Sequence, residues 1–136
     1  MLRQIKLGEP VMLRVRVSEK DVHYAGGLVN GAWVLGLFGD VATELSVRYD
    51  GDEGLMAAYK SIELLAPIHA GDFIEATGII SRVGNTSRIM DFEARRVIEV
   101  CSDLKQPSAA DVLDPPIVVA RAQLVNVTPK ACQRYT

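Results

Sequence analysis

Between residues 28 and 48 the apolar side chains Val34, Leu37, Phe38, Val41, Ala42 and Leu45 recur three or four positions apart. That period predicts an α-helix of about five turns. The segment is too apolar for a helix covered on one side only, so the rest of the chain has to wrap it. The remainder supplies extended structure for the purpose. Residues 11–17 alternate strictly, with Val11, Leu13, Val15 and Val17 on one face, the mark of a half-buried strand. After an acidic loop signal at 50–54, stretches 55–67, 72–83 and 88–100 read as strands, with turns marked by Gly71-Asp72 and Gly84-Asn85. The three are expected to form an antiparallel meander. In the last, Met90, Phe92, Ala94, Ile98 and Val100 share one face. A polar loop with three prolines is expected over 102–116, then a final strand over 117–127. The class is α+β: a curled antiparallel sheet of about five strands around one long central helix. At 136 residues this is one domain, with a core over 11–128 and a short polar tail over 129–136. A sheet of this kind leaves a free edge strand, and pairing with a second copy covers such edges, so a dimer or larger homo-oligomer is expected.

Composition removes several classes. A net charge of −2 with scattered Lys and Arg argues against nucleic acid. No apolar run reaches the roughly 18 residues of a membrane span. The charged residues of segment 1–6 are followed by no apolar stretch of a secretory signal. Cys101 and Cys132 have neither metal spacing nor a CxxC arrangement, and read as unpaired thiols in the cytoplasm.

On the helix, Ala32, Gly36, Gly39, Asp40, Thr43 and Glu44 fall on one arc, opposite Phe38 and Leu45. Two readings stand side by side. A solvated helix face is one, although such faces are filled with long helix formers and not with glycine. In the other, Gly36 and Gly39 open a gap for a ligand or a second backbone. Two carboxylates beside that gap are apparatus for moving protons on and off carbon or nitrogen. Upstream, His23 and Tyr24 precede the Gly26-Gly27 pair, where a turn opens the helix. Backbone N–H groups and the positive end of the helix dipole collect there. Such donors can hold a thioester oxygen as it becomes an enolate. His69 is read as a structural hydrogen-bonding residue.

The run His23-Tyr24-Ala25-Gly26-Gly27-Leu28-Val29-Asn30-Gly31-Ala32 resembles the loop and helix start of hotdog-fold acyl-CoA enzymes. Leu37-Phe38-Gly39-Asp40-Val41-Ala42-Thr43-Glu44-Leu45 is more specific. Together with Asp50-Gly51-Asp52-Glu53-Gly54-Leu55, Ala66-Pro67-Ile68-His69-Ala70-Gly71-Asp72 and Gly84-Asn85-Thr86-Ser87-Arg88, it is similar to the CoA-dependent ammonia lyases acting on 3-aminobutyryl-CoA or β-alanyl-CoA. The resemblance spans roughly residues 11–100, with Ala25 where a further glycine is expected. It implies a hotdog fold and reversible removal of ammonia from a 3-aminoacyl-CoA to give the 2-enoyl-CoA, as in lysine or other amino-acid fermentation. It implies Glu44 as the base at Cα and Asp40 as the residue that orients the amino group and shuttles its proton. His23 positions the substrate with Tyr24, and backbone N–H groups near Gly27 and Leu28 take the thioester oxygen. Asn85, Thr86, Ser87 and Arg88 form a turn that meets the pantetheine or phosphates, or is a plain hairpin. Neither a metal nor a separate cofactor is implied, since the substrate carries its own coenzyme A. An acyl-CoA thioesterase, in which a helix carboxylate activates water, and a non-catalytic acyl-CoA-binding module stay open on the same fold.

Overall fold

In the computed structural model, which describes residues 3–101, 103 and 105–135, the central helix α1 is Gly31–Asp50. Seven strands surround it: β1 (Val11–Arg16), β2 (Val22–Tyr24), β3 (Leu28–Val29), β4 (Leu55–Leu64), β5 (Phe73–Val83), β6 (Ser87–Val100) and β7 (Ala110–Val127). Residues 1, 2, 102, 104 and 136 lie outside the described residues. They belong to the charged N-terminal segment, the expected loop and the expected tail. Among the described residues no helix is long and apolar enough to cross a membrane.

Five strands form one antiparallel sheet in the order β1-β5-β6-β7-β4, while β2 and β3 pair separately. The six apolar positions that define the helix period are all buried, Phe38, Val41 and Leu45 completely. They press onto Ile74, Ala76 and Ile80 of β5, Met90, Phe92 and Ala94 of β6, and Ala120, Ala122 and Leu124 of β7. Each such larger side chain contributes about 1.5–3 kcal/mol by leaving water. The rings of Phe38 and Phe92 stack with centroids 5.2 Å apart. Close approach of helix to sheet depends on Gly78, where a Cβ would lie 2.7 Å from Phe92 and 2.8 Å from Val41.

Four details depart from the sequence reading. The helix begins at Gly31 and not near residue 28, because Gly26 and Gly27 turn at φ 76° and 77°. That turn folds Leu28 and Val29 back as β3 on β2. The 55–67 stretch is not in the meander: β5, β6 and β7 are consecutive neighbours, and β4 lies at the far edge on β7. Sequential strands are neighbours only about two-thirds of the time. Here the helix crosses the sheet between β1 and β4, so the chain re-emerges at the opposite edge. The expected 102–116 loop is shorter, since β7 starts at Ala110 and pairs with β6 from Val100↔Ala110 to Ile98↔Val112. Its register skips from Val112 to Ile117, which leaves Pro115 and Pro116 in a bulge where their missing N–H costs no ladder bond. The same irregularity, after Arg96 on β6, breaks the alternation, and Val100 ends 42% exposed instead of joining the buried face.

Candidate active site

The expected site residues occupy three places in one protomer. Asp40 and Glu44 lie midway along α1 on its outer face, Asp40 exposed and Glu44 partly so. Arg48, one turn further, donates from Nε to Glu44 Oε2 at 2.9 Å. The two glycines beside them differ. A Cβ on Gly39 would meet Met56 Cε of β4 at 3.5 Å, so β4 already fills that gap. Around Gly36 nothing lies within 4 Å, and the space beside Asp40 is open. Thr43 Oγ1 donates to the carbonyl of Gly39 at 3.0 Å, and the Tyr59 hydroxyl of β4 donates to that of Leu35 at 2.8 Å. Burial raises the Tyr59 phenol above its ordinary pKa, which keeps it a donor.

His23, Tyr24, Gly27 and Leu28 stand at the N-terminal end of α1. The His23 and Tyr24 rings meet edge to face at 4.9 Å, and both residues are exposed. Backing for this loop comes from the strip between β4 and β5. Ala70 N–H donates to Gly27 O at 2.9 Å, Val29 N–H donates to Ile68 O at 3.0 Å, and Leu28 bridges His69. Tyr24 and Leu28 line a groove of about 360 Å³ with Asn30, Gly31, Pro67 and Val119 among its walls. Asn30 occupies the helix N-cap position but makes no side-chain capping bond. The helix dipole therefore points its positive end into this groove. The backbone N–H of His69 donates to Asp72 Oδ2 at 2.9 Å.

Asn85, Thr86, Ser87 and Arg88 lie at the other end of the helix. Gly84 N–H closes the turn onto Ser87 O at 2.8 Å, Thr86 O accepts from Thr128 N–H, and Asn85 O accepts from Gln133 Nε2. Arg88 departs from expectation. It is 2% exposed and makes a two-point pair with Asp50, Nε to Oδ2 at 2.8 Å and Nη2 to Oδ1 at 2.9 Å. Its Nη1 donates to the carbonyls of Gly84 and Ser87. A guanidinium so occupied holds the fold together and does not face a phosphate.

Helix rise separates these places. Asp40 is nine residues beyond Gly31, about 13 Å along the axis, and Glu44 about 6 Å further. One protomer thus presents the Asp40 and Glu44 carboxylates and the Gly27–Leu28 backbone without uniting them. The sequence reading missed Arg96, buried on β6 behind the strip, and Tyr59, which ties β4 to the carboxylate face. Arg96 carried a signal: it continues the buried alternation of Met90, Phe92 and Ala94.

A helix wrapped by a five-stranded sheet, with a glycine loop at its start, defines an acyl-thioester enzyme fold, and residues 26–100 match the Thioesterase superfamily. The chain belongs to that superfamily and, within it, to the CoA-dependent ammonia lyases, which are carbon–nitrogen lyases. It is 56% identical over 123 residues to 3-aminobutyryl-CoA ammonia lyase of Acetoanaerobium sticklandii, covering 90% of this chain and 97% of that one. It superposes on β-alanyl-CoA:ammonia lyase from Clostridium propionicum with a TM-score of 0.89 and 41% identity, over 95% of this chain and 91% of that one. A hexameric broad-specificity acyl-coenzyme A thioesterase shares the fold alone, at a TM-score of 0.70 and 21% identity over 91% of this chain and 83% of that one.

Proposed function

We propose that the protein catalyses the reversible elimination of ammonia from a 3-aminobutyryl-CoA-type thioester, giving the crotonyl-CoA-type product, in the cytoplasm. The observation that carries this reading is the 56% identity, across almost the whole of both chains, with a relative of that name. Preference for the 3-aminobutyryl over the β-alanyl substrate rests on 56% against 41% identity.

Each step follows from a group already described. The Glu44 carboxylate takes a proton from Cα of the ammonio-thioester, and the electron pair moves into the thioester carbonyl. Backbone N–H groups near Gly27 and Leu28 hold the oxygen as it becomes an enolate, aided by the helix dipole. The enolate then collapses, the Cβ–N bond breaks, and nitrogen leaves with the bonding pair as ammonia. Asp40 relays the proton collected by Glu44 to that ammonia, so ammonium and the enoyl thioester depart with both carboxylates reset. His23 and Tyr24 orient the thioester, and Asn85, Thr86 and Ser87 are assigned to the outer part of the coenzyme A.

The 13 to 19 Å of helix between loop and carboxylates calls for a second copy running the opposite way along α1. Surface for it exists: Ala32, Gly36 and Asp40 of α1 are exposed, and on β4 Leu55, Met56, Ile62 and Leu64 are 43–68% exposed. The working unit is a homodimer, or a larger assembly of dimers such as a hexamer.

Incubation with crotonyl-CoA, with and without ammonium, tests the reading directly. A 3-amino thioester that appears only with ammonium supports it. Rapid release of coenzyme A without regard to ammonium shows a thioesterase, and binding with no turnover shows a carrier module. Glu44→Gln keeps the shape but loses the base, and is expected to slow addition about 10²- to 10⁴-fold. Asp40→Asn is expected to slow it as well. Full activity in Glu44→Gln would remove Glu44 from the mechanism.

A further inference from the structure

Arg96 sits on the inward face of β6, between Ile74 of β5 and Ile117 of β7, with its side chain 8% exposed. The ladders on both sides of it are irregular immediately after this residue, and bulges of that kind re-aim side chains near sites. Its charge is poorly matched for such burial. Nη2 lies 3.4 Å from Glu99 Oε1, and Nε is buried with no hydrogen-bond partner among the described residues. A methionine would fill the same volume without a desolvated charge. What the guanidinium does make is one short bond, Nη1 to the carbonyl of Pro67 at 2.7 Å.

Pro67 opens the strip of residues 67–70, which belongs to neither β4 nor β5 and has no ladder of its own to fix it. That strip accepts Val29 N–H at Ile68 O, donates Ala70 N–H to Gly27 O, and bridges Leu28 through His69. Pro67 and Ile68 also line the groove with Tyr24 and Leu28. Arg96 is therefore joined to the backbone of Gly27–Val29 by two hydrogen bonds and the single residue step from Pro67 to Ile68.

We propose that Arg96 is a positioning residue, whose bond to the Pro67 carbonyl holds the strip that aligns the Gly27 and Leu28 N–H groups on the thioester oxygen. This rests on the assignment of those N–H groups to the oxyanion. Loss of alignment weakens donors that count most in the transition state, and the cost falls on kcat more than on KM. Loss of a whole oxyanion donor costs about 10²- to 10³-fold, so a loosened one is expected to cost about 10- to 100-fold.

The experiment compares kcat and KM for crotonyl-CoA and ammonium in wild type, Arg96→Met and Arg96→Lys, alongside urea unfolding. The expected result is Arg96→Met folded and as stable as wild type, kcat down about 10- to 100-fold, and KM for the thioester changed less than about twofold. Arg96→Lys keeps a charged donor and is expected to recover most of the rate. Should Arg96→Met fail to fold, Arg96→Gln, with an uncharged donor, is judged by the same split. A folded Met or Gln variant with wild-type kcat overturns the proposal, as does a Lys variant as slow as Met. If wild type instead hydrolyses the thioester and ignores ammonium, the lyase reading fails on its own. The kcat split, read on hydrolysis, then still decides the case of Arg96, because both reactions place charge on the thioester oxygen.

Discussion

Removing either partner of the Arg88–Asp50 pair should reveal how much of this fold hangs on one buried contact. Asp50 is the last residue of α1, 1% exposed, and its carboxylate lies at the negative end of the helix dipole. Without Arg88 that carboxylate is buried, unpaired and opposed by the dipole, the last worth about 0.3–1 kcal/mol. Breaking a buried pair from one side costs about 3–5 kcal/mol, about a fifth or more of a typical total near 5–15 kcal/mol. Arg88→Met should fall at the upper end, because it also strips donors from the carbonyls of Gly84 and Ser87. Asp50→Asn should fall at the lower end, since an amide oxygen still accepts one guanidinium bond. Arg88→Met combined with Asp50→Leu removes both charges and should recover most of the loss, since Ser87 O keeps the Gly84 N–H and Gly84 is exposed to water. Urea unfolding, followed by the fluorescence of the single tryptophan Trp33 at one fixed protein concentration, measures all of these. Single variants that each lose less than about 1 kcal/mol, or a double variant no better than Arg88→Met, would refute the reasoning. A folded Arg88→Met of normal stability with a greatly raised KM would return Arg88 to the coenzyme A phosphates.

Gly54→Ala should cost about 2–4 kcal/mol in the same unfolding experiment: its φ is +65°, and the new Cβ would lie 2.5 Å from Asn126 Nδ2 and 2.8 Å from Ser46 Oγ. Tyr59→Phe should lose about 0.5–1.5 kcal/mol with its bond to Leu35. Because burial raises the Tyr59 pKa, this contribution is intact below the ordinary tyrosine value near 10 and disappears as pH climbs through the folded one; an alkaline titration of tyrosinate absorbance should show one late phenol that the variant lacks. Gly36→Leu places a side chain where one protomer offers only open space. Circular dichroism should find it folded and the crotonyl-CoA assay should find it inactive, whereas normal activity would move the substrate away from Asp40.

The helix and its buried stripe were legible because burial follows period, and so was the buried face of β6 as far as the irregularity after Arg96. Strand order was not. That β4 pairs with β7 depends on where the end of α1 leaves the sheet, which no local pattern records. For Arg88 the turn chemistry of Gly84-Asn85 drew the reading outward. Yet Arg88, Met90, Phe92, Ala94 and Arg96 occupy every second position, and all five are buried. Period two put both arginines indoors; their partners, an aspartate 38 positions earlier and a backbone carbonyl, were beyond its reach. Asp40 and Glu44 were visible as residue types on an arc. Their distance from the glycine loop became visible only with the helix laid out at its full length.

The place of β7 in the sheet also governs how the chain can be made. It is the seventh strand in sequence, yet it supplies the neighbour of both β6 and β4, with Leu55 opposite Val127. On the ribosome, β4 emerges early and waits with both edges unpaired until residues 110–127 have been synthesised. The backbone edge of β4 that β7 will cover remains open to other chains for that interval. A product interrupted before residue 110 is accordingly not a smaller enzyme but a sticky fragment. Closure of the sheet is a late, long-range event, of the kind that slows folding.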